Sequence, residues 1–172
     1  MTVTPTTLTE TTTTTRVFRV YIKATPERIW DAITDPEWNG RYGYPGHQTF
    51  DLVKGGKYAC HAPAEMQAMG IPAEMIDGEV LEVDPPNRLV VSWRFNFSPE
   101  QTAEGFKSVT YEIEPETDAL TRLTVTHDVT DAPLADGMIT PNEHKLGEGG
   151  GGWAMILSDL KTLLETGSNM MG

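Results

Sequence analysis

The side chains able to do chemistry in this 172-residue chain are few and scattered. Histidines stand at His47, His61, His127 and His144, and Cys60 is the single cysteine. No HExxH pattern and no Cys/His cluster joins them, so neither a zinc site of the usual ligand spacing nor any other cofactor is expected. No Ser/His/Asp order or nucleophile elbow marks a covalent catalyst. His127 is best placed for acid/base work, because strand alternation sends it inward beside Val125 and Val129. The plainer reading is a buried histidine satisfied by a neighbour. Trp93, Phe95 and Tyr111 share that inward face. They read as core or as a pocket wall whose rings and polar tips orient a ligand, and both can hold at once. Trp153 reads more as core than as a ligand contact. Cys60 is expected to face inward with Tyr58, where a thiol is mostly inert.

Two further stretches invite a functional reading. Gly149 to Gly152 precede a helix, as in a phosphate loop, but the Gly-Lys-Ser/Thr ending is missing and no βαβ unit leads in. A hinge for the closing helix is the better reading. The segment 61–76 carries Met66, Met69 and Met75 with two prolines. It covers a core edge, or it forms a lid whose flexible thioethers suit varied apolar ligands.

These residues need elements to position them. Arg16 to Ala24 alternates as a strand. Thr25-Pro26-Glu27 then reads as N-cap, first helical proline and dipole-matched acid, with Ile29, Trp30 and Ile33 on the apolar stripe. Asp35-Pro36 repeats the device and opens a second short helix carrying Trp38. From Gly46 onward the texture is strands and turns: Phe50 and Leu52, Lys57 to His61 after the Lys54-Gly55-Gly56 turn, Ile76 to Val83, Arg88 to Phe97, Phe106 to Glu114, and Leu120 to Val129. Such alternation implies an antiparallel sheet with one covered face. The cover is a C-terminal helix, with Trp153, Ile156, Leu157, Leu160, Leu163 and Leu164 at helical spacing and Gly167 as its stop.

Length and composition fit one globular domain over residues 16–167, between a disordered Thr-rich tail at 1–15 and a flexible C-terminus at 168–172. The net charge of −12, from 25 acids against 13 bases, argues against nucleic acid as a partner. No apolar run reaches the roughly 20 residues of a membrane span, and the first residues do not read as a secretory signal. One cysteine fits a reducing compartment, so cytoplasm is the expected location.

Six strings carry a family resemblance, in order along nearly all of the chain after Thr15: ATPERIWDAITDPEW (24–38), GGKY (55–58), GEVLEVDPPNRLVVSW (78–93), SVTYEIEP (108–115), TRLTVTH (121–127) and GGWAMILSDLKTLLETG (151–167). Together they resemble the START-like, or SRPBCC, superfamily, in the branch related to the C-terminal domain of the heat-shock-chaperone ATPase activator. The resemblance implies an α+β helix-grip (START/Bet v-like) fold. In it a curved antiparallel sheet of about seven strands wraps around a long C-terminal helix, with two short helices after the first strand. It also implies a cavity between sheet and helix, but no single activity. The methionine-bearing segment 61–76 is longer and less charged than the short polar turn common in the family.

The favoured expectation is therefore binding of a small apolar or aromatic molecule, without catalysis. The candidate wall is Trp38, Phe50, Tyr58, Trp93, Phe95, Tyr111, His127 and Trp153, and the candidate rim is Met66, Met69 and Met75. Two alternatives stay open. One is a polyketide cyclase- or hydrolase-like enzyme using His127 and Tyr111. The other is a chaperone-activating or other interaction module. A homodimer and a chaperone partner stay open with them.

Overall fold

The computed structural model describes residues 12–172. Strand β1 (Thr15–Ile22) is followed by helices α1 (Pro26–Thr34) and α2 (Pro36–Asn39). Strands β2 (His47–Phe50) and β3 (Lys57–His61), helix α3 (Ala64–Ala68), strands β4 (Glu74–Asp84) and β5 (Arg88–Phe95) and helix α4 (Pro99–Ala103) come next. Strands β6 (Lys107–Pro115) and β7 (Thr121–Asp128), helix α5 (Pro133–Ile139), a 3-10 turn (Leu146–Glu148) and helix α6 (Gly152–Thr166) complete the chain.

The local chemistry explains the helix starts. Thr25 accepts a hydrogen bond from Arg28 N at 3.3 Å, and Asp35 accepts one from Glu37 N at 2.9 Å. Each stands directly before a proline, whose fixed φ suits the first helical position. The same device opens α4, where Ser98 caps Gln101 N at 3.2 Å ahead of Pro99. Helices α3, α4 and α5 were not expected from the sequence, because each has only five to seven residues and too little span to show a period.

The seven strands form one antiparallel sheet in the order β1-β7-β6-β5-β4-β3-β2, a meander closed by adding the first strand beside the last. Register shifts near His61 on β3 and between Val80 and Glu82 on β4 mark bulges, which bend a sheet. Gly78 sits on β4 where an added Cβ would lie 1.8 Å from Ser92 O, so only glycine lets β4 press this closely on β5. Side-chain parity falls as the alternation requires: Leu89, Val91, Trp93 and Phe95, then Val109, Tyr111 and Ile113, then Leu123, Val125 and His127 are all buried on the concave face.

Helix α6 lies across that face with Trp153, Leu157, Leu160, Leu163 and Leu164 buried. Gly167 ends it at φ 84°, its N–H returning to Leu163 O at 2.8 Å. Its C-terminal end is tied to β1: Lys161 Nζ donates to Tyr21 O at 2.6 Å, and Glu165 accepts from Lys23 N at 2.9 Å. Of the tail expected at 1–15, residues 1–11 lie outside the described residues. Thr14 O accepts from Val129 N at 2.8 Å, and Thr15 opens β1. Within the segment 168–172, Met170 N donates to Asp159 Oδ1 at 2.6 Å and Asn169 Nδ2 to Arg41 O at 2.9 Å.

Candidate functional site

Between the sheet and the N-terminal half of α6 lies a cavity of about 530 Å³, within the size range of small-molecule sites. The sheet contributes Met75 and Ile76 of β4, Trp93 and Phe95 of β5 with Phe97 beyond it, Tyr111 of β6 and Leu123 of β7. Helix α6 contributes Gly152, Trp153, Ile156, Leu157 and Leu160. A third side is made by Ile33 of α1 and by Asn39, Tyr42, Tyr44 and Gln48. The exposed members of the lining, Pro45, Met69, Met138, Gly147 and Glu148, mark the mouth.

A void of this size forfeits contacts that a packed core would make, so its walls must be held from elsewhere. Hydrogen bonds behind the lining do this. Asn39 is buried and fully engaged: its Nδ2 donates to Ile33 O and Gln48 O at 3.1 and 2.9 Å, and its Oδ1 accepts from Gln48 N at 2.8 Å. Tyr42 Oη donates to Ala32 O at 3.0 Å, and Tyr58 Oη donates to Gln48 Oε1 at 2.7 Å. Asp159, buried on α6, accepts from Gly43 N at 2.8 Å and so fixes the 43–46 turn to the helix. Aromatic packing adds stiffness: Trp93 lies 5.4 Å from Tyr58, 5.7 Å from Trp153 and 6.0 Å from Phe95, ring centre to ring centre.

The sequence candidates divide. Trp93, Phe95, Tyr111 and Trp153 are brought together on the cavity wall, and Met66, Met69 and Met75 also line it. The methionines differ in setting. Met66 is half-buried on α3 and Met69 is 76% exposed at the mouth, whereas Met75 is 4% exposed and belongs to the inner wall. Tyr58 is fully buried one layer behind, Phe50 packs on it at 4.8 Å, and Trp38 is half-buried under the Arg41 guanidinium at 4.4 Å.

His127 also lies behind the wall rather than on it. It is fully buried, and Trp153 Nε1 donates to its Nδ1 at 3.1 Å. The ring proton is therefore on Nε2, which has no acceptor among the described residues, as is true of Trp93 Nε1. Burial pulls the His127 value down from 6.5 to about 4, so the ring is neutral near pH 7. Tyr111 is held well above the ordinary phenol range, first by burial and then by neighbouring Tyr42 and Cys60. Burial pushes the Cys60 thiol up to about 12, so it is protonated where it lines the cavity. None of these groups is poised to exchange a proton near neutrality.

The glycine run has a steric cause. An added Cβ would lie 1.9 Å from His144 O at Gly150, 2.4 Å from Met155 Cβ at Gly151 and 2.1 Å from Ile139 O at Gly152, which also has φ 53°. The helix N-terminus is occupied as well: Gly151 N and Gly152 N both donate to Tyr44 Oη, at 3.0 and 3.1 Å. The N–H groups a phosphate needs are thus taken by a phenol. Sequence reasoning missed Asn39, Gln48, Tyr42 and Tyr44. The turn-rich string around Tyr42 and Tyr44 showed a loop, but nothing local said that it would fold back on α6.

A curved seven-stranded sheet gripping a C-terminal helix over an apolar cavity defines a START-like, SRPBCC-type protein. The family model described as "Activator of Hsp90 ATPase homolog 1-like protein" matches residues 23–165, and the chain belongs to this family. Among solved structures, CalU16 from Micromonospora echinospora is similar at 24% identity and TM-score 0.60, over 90% of this chain and 78% of that one. Protein MLL2253 from Mesorhizobium loti matches at 22% identity and TM-score 0.63, over 88% of this chain and 97% of that one. PFC0360w, an HSP90 activator from Plasmodium falciparum, matches at 22% identity and TM-score 0.54, over 91% of each. No curated protein matches the chain.

Proposed function

We propose that this protein binds a small apolar or aromatic molecule in the cavity between its sheet and α6. The observation that carries this reading is the void itself, about 530 Å³ with a lining dominated by aromatic, aliphatic and methionine side chains and with an open mouth. Met66, Met69 and Met138 from two short helices and their flanks form an adaptable apolar rim, suited to admitting ligands of varied shape. Binding is favoured over catalysis because the two groups best suited to acid/base work are unsuited in place: His127 is enclosed and neutral, and Tyr111 is held protonated.

The test uses an environment-sensitive hydrophobic dye and native mass spectrometry of freshly purified protein. Saturable one-to-one dye binding and a co-purified small molecule are expected. Ile156→Trp, which fills the void from α6, should abolish the dye site while the fold melts normally. A dye site that survives this change places binding elsewhere and overturns the proposal.

A second reading follows from family membership and from the exposed apolar residues Met69, Leu134, Met138 and Leu146 near the mouth. It makes the mouth a docking surface for a chaperone. Stimulation of Hsp90 ATPase by the purified protein, lost on Leu134→Asp, is the outcome it requires.

A further inference from the structure

The cavity's charge pattern is more specific than its apolarity. Among the described residues no lysine, arginine or histidine contributes to the lining, so an anionic head group has no cationic partner inside it. The Cys60 thiol and the Tyr111 phenol that line it are neutral, since burial raises Cys60 to about 12 and lifts Tyr111 well above its ordinary value. The one ionisable carboxyl in the lining is Glu148, exposed at the mouth on the 3-10 turn. Its Oε2 takes only a long hydrogen bond, 3.4 Å, from Lys145 N. A second carboxyl, Asp159, lies directly behind the Gly43 wall. Beside the lining residues in the chain stand Arg41, Glu65, Glu143, His144 and Lys145, and none of these lines the cavity. The whole chain carries −12. Tyr44 and Phe97 add aromatic rings, whose faces attract cations.

We infer that the cavity selects an apolar molecule ending in a protonated amine over the same molecule ending in a carboxylate, with Glu148 setting the choice. The inference rests on the cavity being a ligand site, as proposed above. The apolar body fills the space under α6 and the ammonium group stays at the wet mouth beside Glu148, where it keeps part of its hydration. A carboxylate in that position meets a like charge, and no cationic side chain of the lining offsets it. Because Glu148 is exposed and the mouth is wet, the discrimination is modest and screened by salt.

The experiment is competition against a neutral hydrophobic dye by dodecylamine, dodecanol and dodecanoate, all below their micelle concentrations and at low salt. Expected is binding of the amine about tenfold tighter than the carboxylate, with the alcohol between them; a tenfold ratio corresponds to about 1.4 kcal/mol. Glu148→Gln should shrink the ratio to roughly threefold or less, and raised salt should shrink it further. Lys145→Gln should not reduce it. Dodecanoate binding as tightly as dodecylamine overturns the inference. A preference that survives Glu148→Gln intact also overturns it, because the selection then comes from net charge rather than from this site. If the dye itself finds no saturable site, the binding proposal fails and takes this one with it; a normal dye site without amine preference sinks this inference alone.

Discussion

The two halves of α6 sit over two different interiors. Its C-terminal half, with Leu163 and Leu164, lies outside the cavity and belongs to a filled core that includes Ile22 and Ile29, each buried. Its N-terminal half, with Trp153, Ile156 and Leu157, faces the void. The filled half is held by apolar contact and by the Lys161 and Glu165 bonds to the end of β1. The hollow half is propped by polar bonds behind its lining, from Asn39, Tyr58, Asp159 and Trp153. The same helical stripe thus serves as a core seam at one end and a roof at the other, and the difference lies in what the roof rests upon.

The comparison predicts unequal mutational costs. The largest is expected for Leu163→Ala, which leaves a cavity in a packed region and should cost roughly 2–5 kcal/mol in denaturant melts. Ile156→Ala, a truncation of similar size at the hollow end, should cost less than about 1.5 kcal/mol, because its side chain already borders empty space. Equal losses at the two positions would erase the distinction.

Next in size is an acid dependence located at the props. His127 has a folded value of about 4 against 6.5 for the free side chain. Between those values the unfolded chain binds the extra proton. Stability is therefore full above about pH 6.5 and falls as pH drops towards 4, by on the order of 3 kcal/mol. Asp77, Asp136 and Glu165 are held below their ordinary values, so their contribution fades at lower pH than that of His127. Melts of the wild type and His127→Gln across pH 4 to 7 should separate the two, the variant showing a flatter profile. An unchanged slope would mean that His127 is not the titrating group.

Trp153→Phe removes the indole donor to His127 Nδ1 while keeping most of the ring packing, and should cost about 1–3 kcal/mol. The smallest stability effect is expected at the mouth. Met66→Gln with Met69→Gln should change stability by less than about 0.5 kcal/mol yet alter dye exchange rates severalfold in stopped-flow traces. A stability loss as large as the kinetic change would make these methionines core. Met75→Gln is the contrast within the same segment, and should be markedly destabilising because Met75 is 4% exposed.

Much of the architecture was legible in the sequence. The proline-led helices, the inward set from Leu89 to His127, the amphipathic C-terminal helix and its Gly167 stop follow from capping chemistry and from periods of two and 3.6. Local backbone preference and local side-chain direction are enough for these. The candidate wall was legible only in part. Parity places Trp93, Tyr111 and His127 on one face, but depth from the surface of that face is not a property of any one strand. Trp93 and Tyr111 border the void while His127 is sealed behind Trp153, a residue 26 positions away.

What the sequence alone determined is which side chains turn inward and where the elements start and stop, because those depend on dihedral preference and spacing within a few residues. What only the tertiary structure decided is where the interior is filled and where it is hollow. That depends on bonds between separate elements, across the turn from Asn39 to Gln48 and between distant segments from Gly43 to Asp159 and from Tyr44 to Gly151 and Gly152. These bonds fix the distance between walls, and side-chain volume then fills or fails to fill the gap.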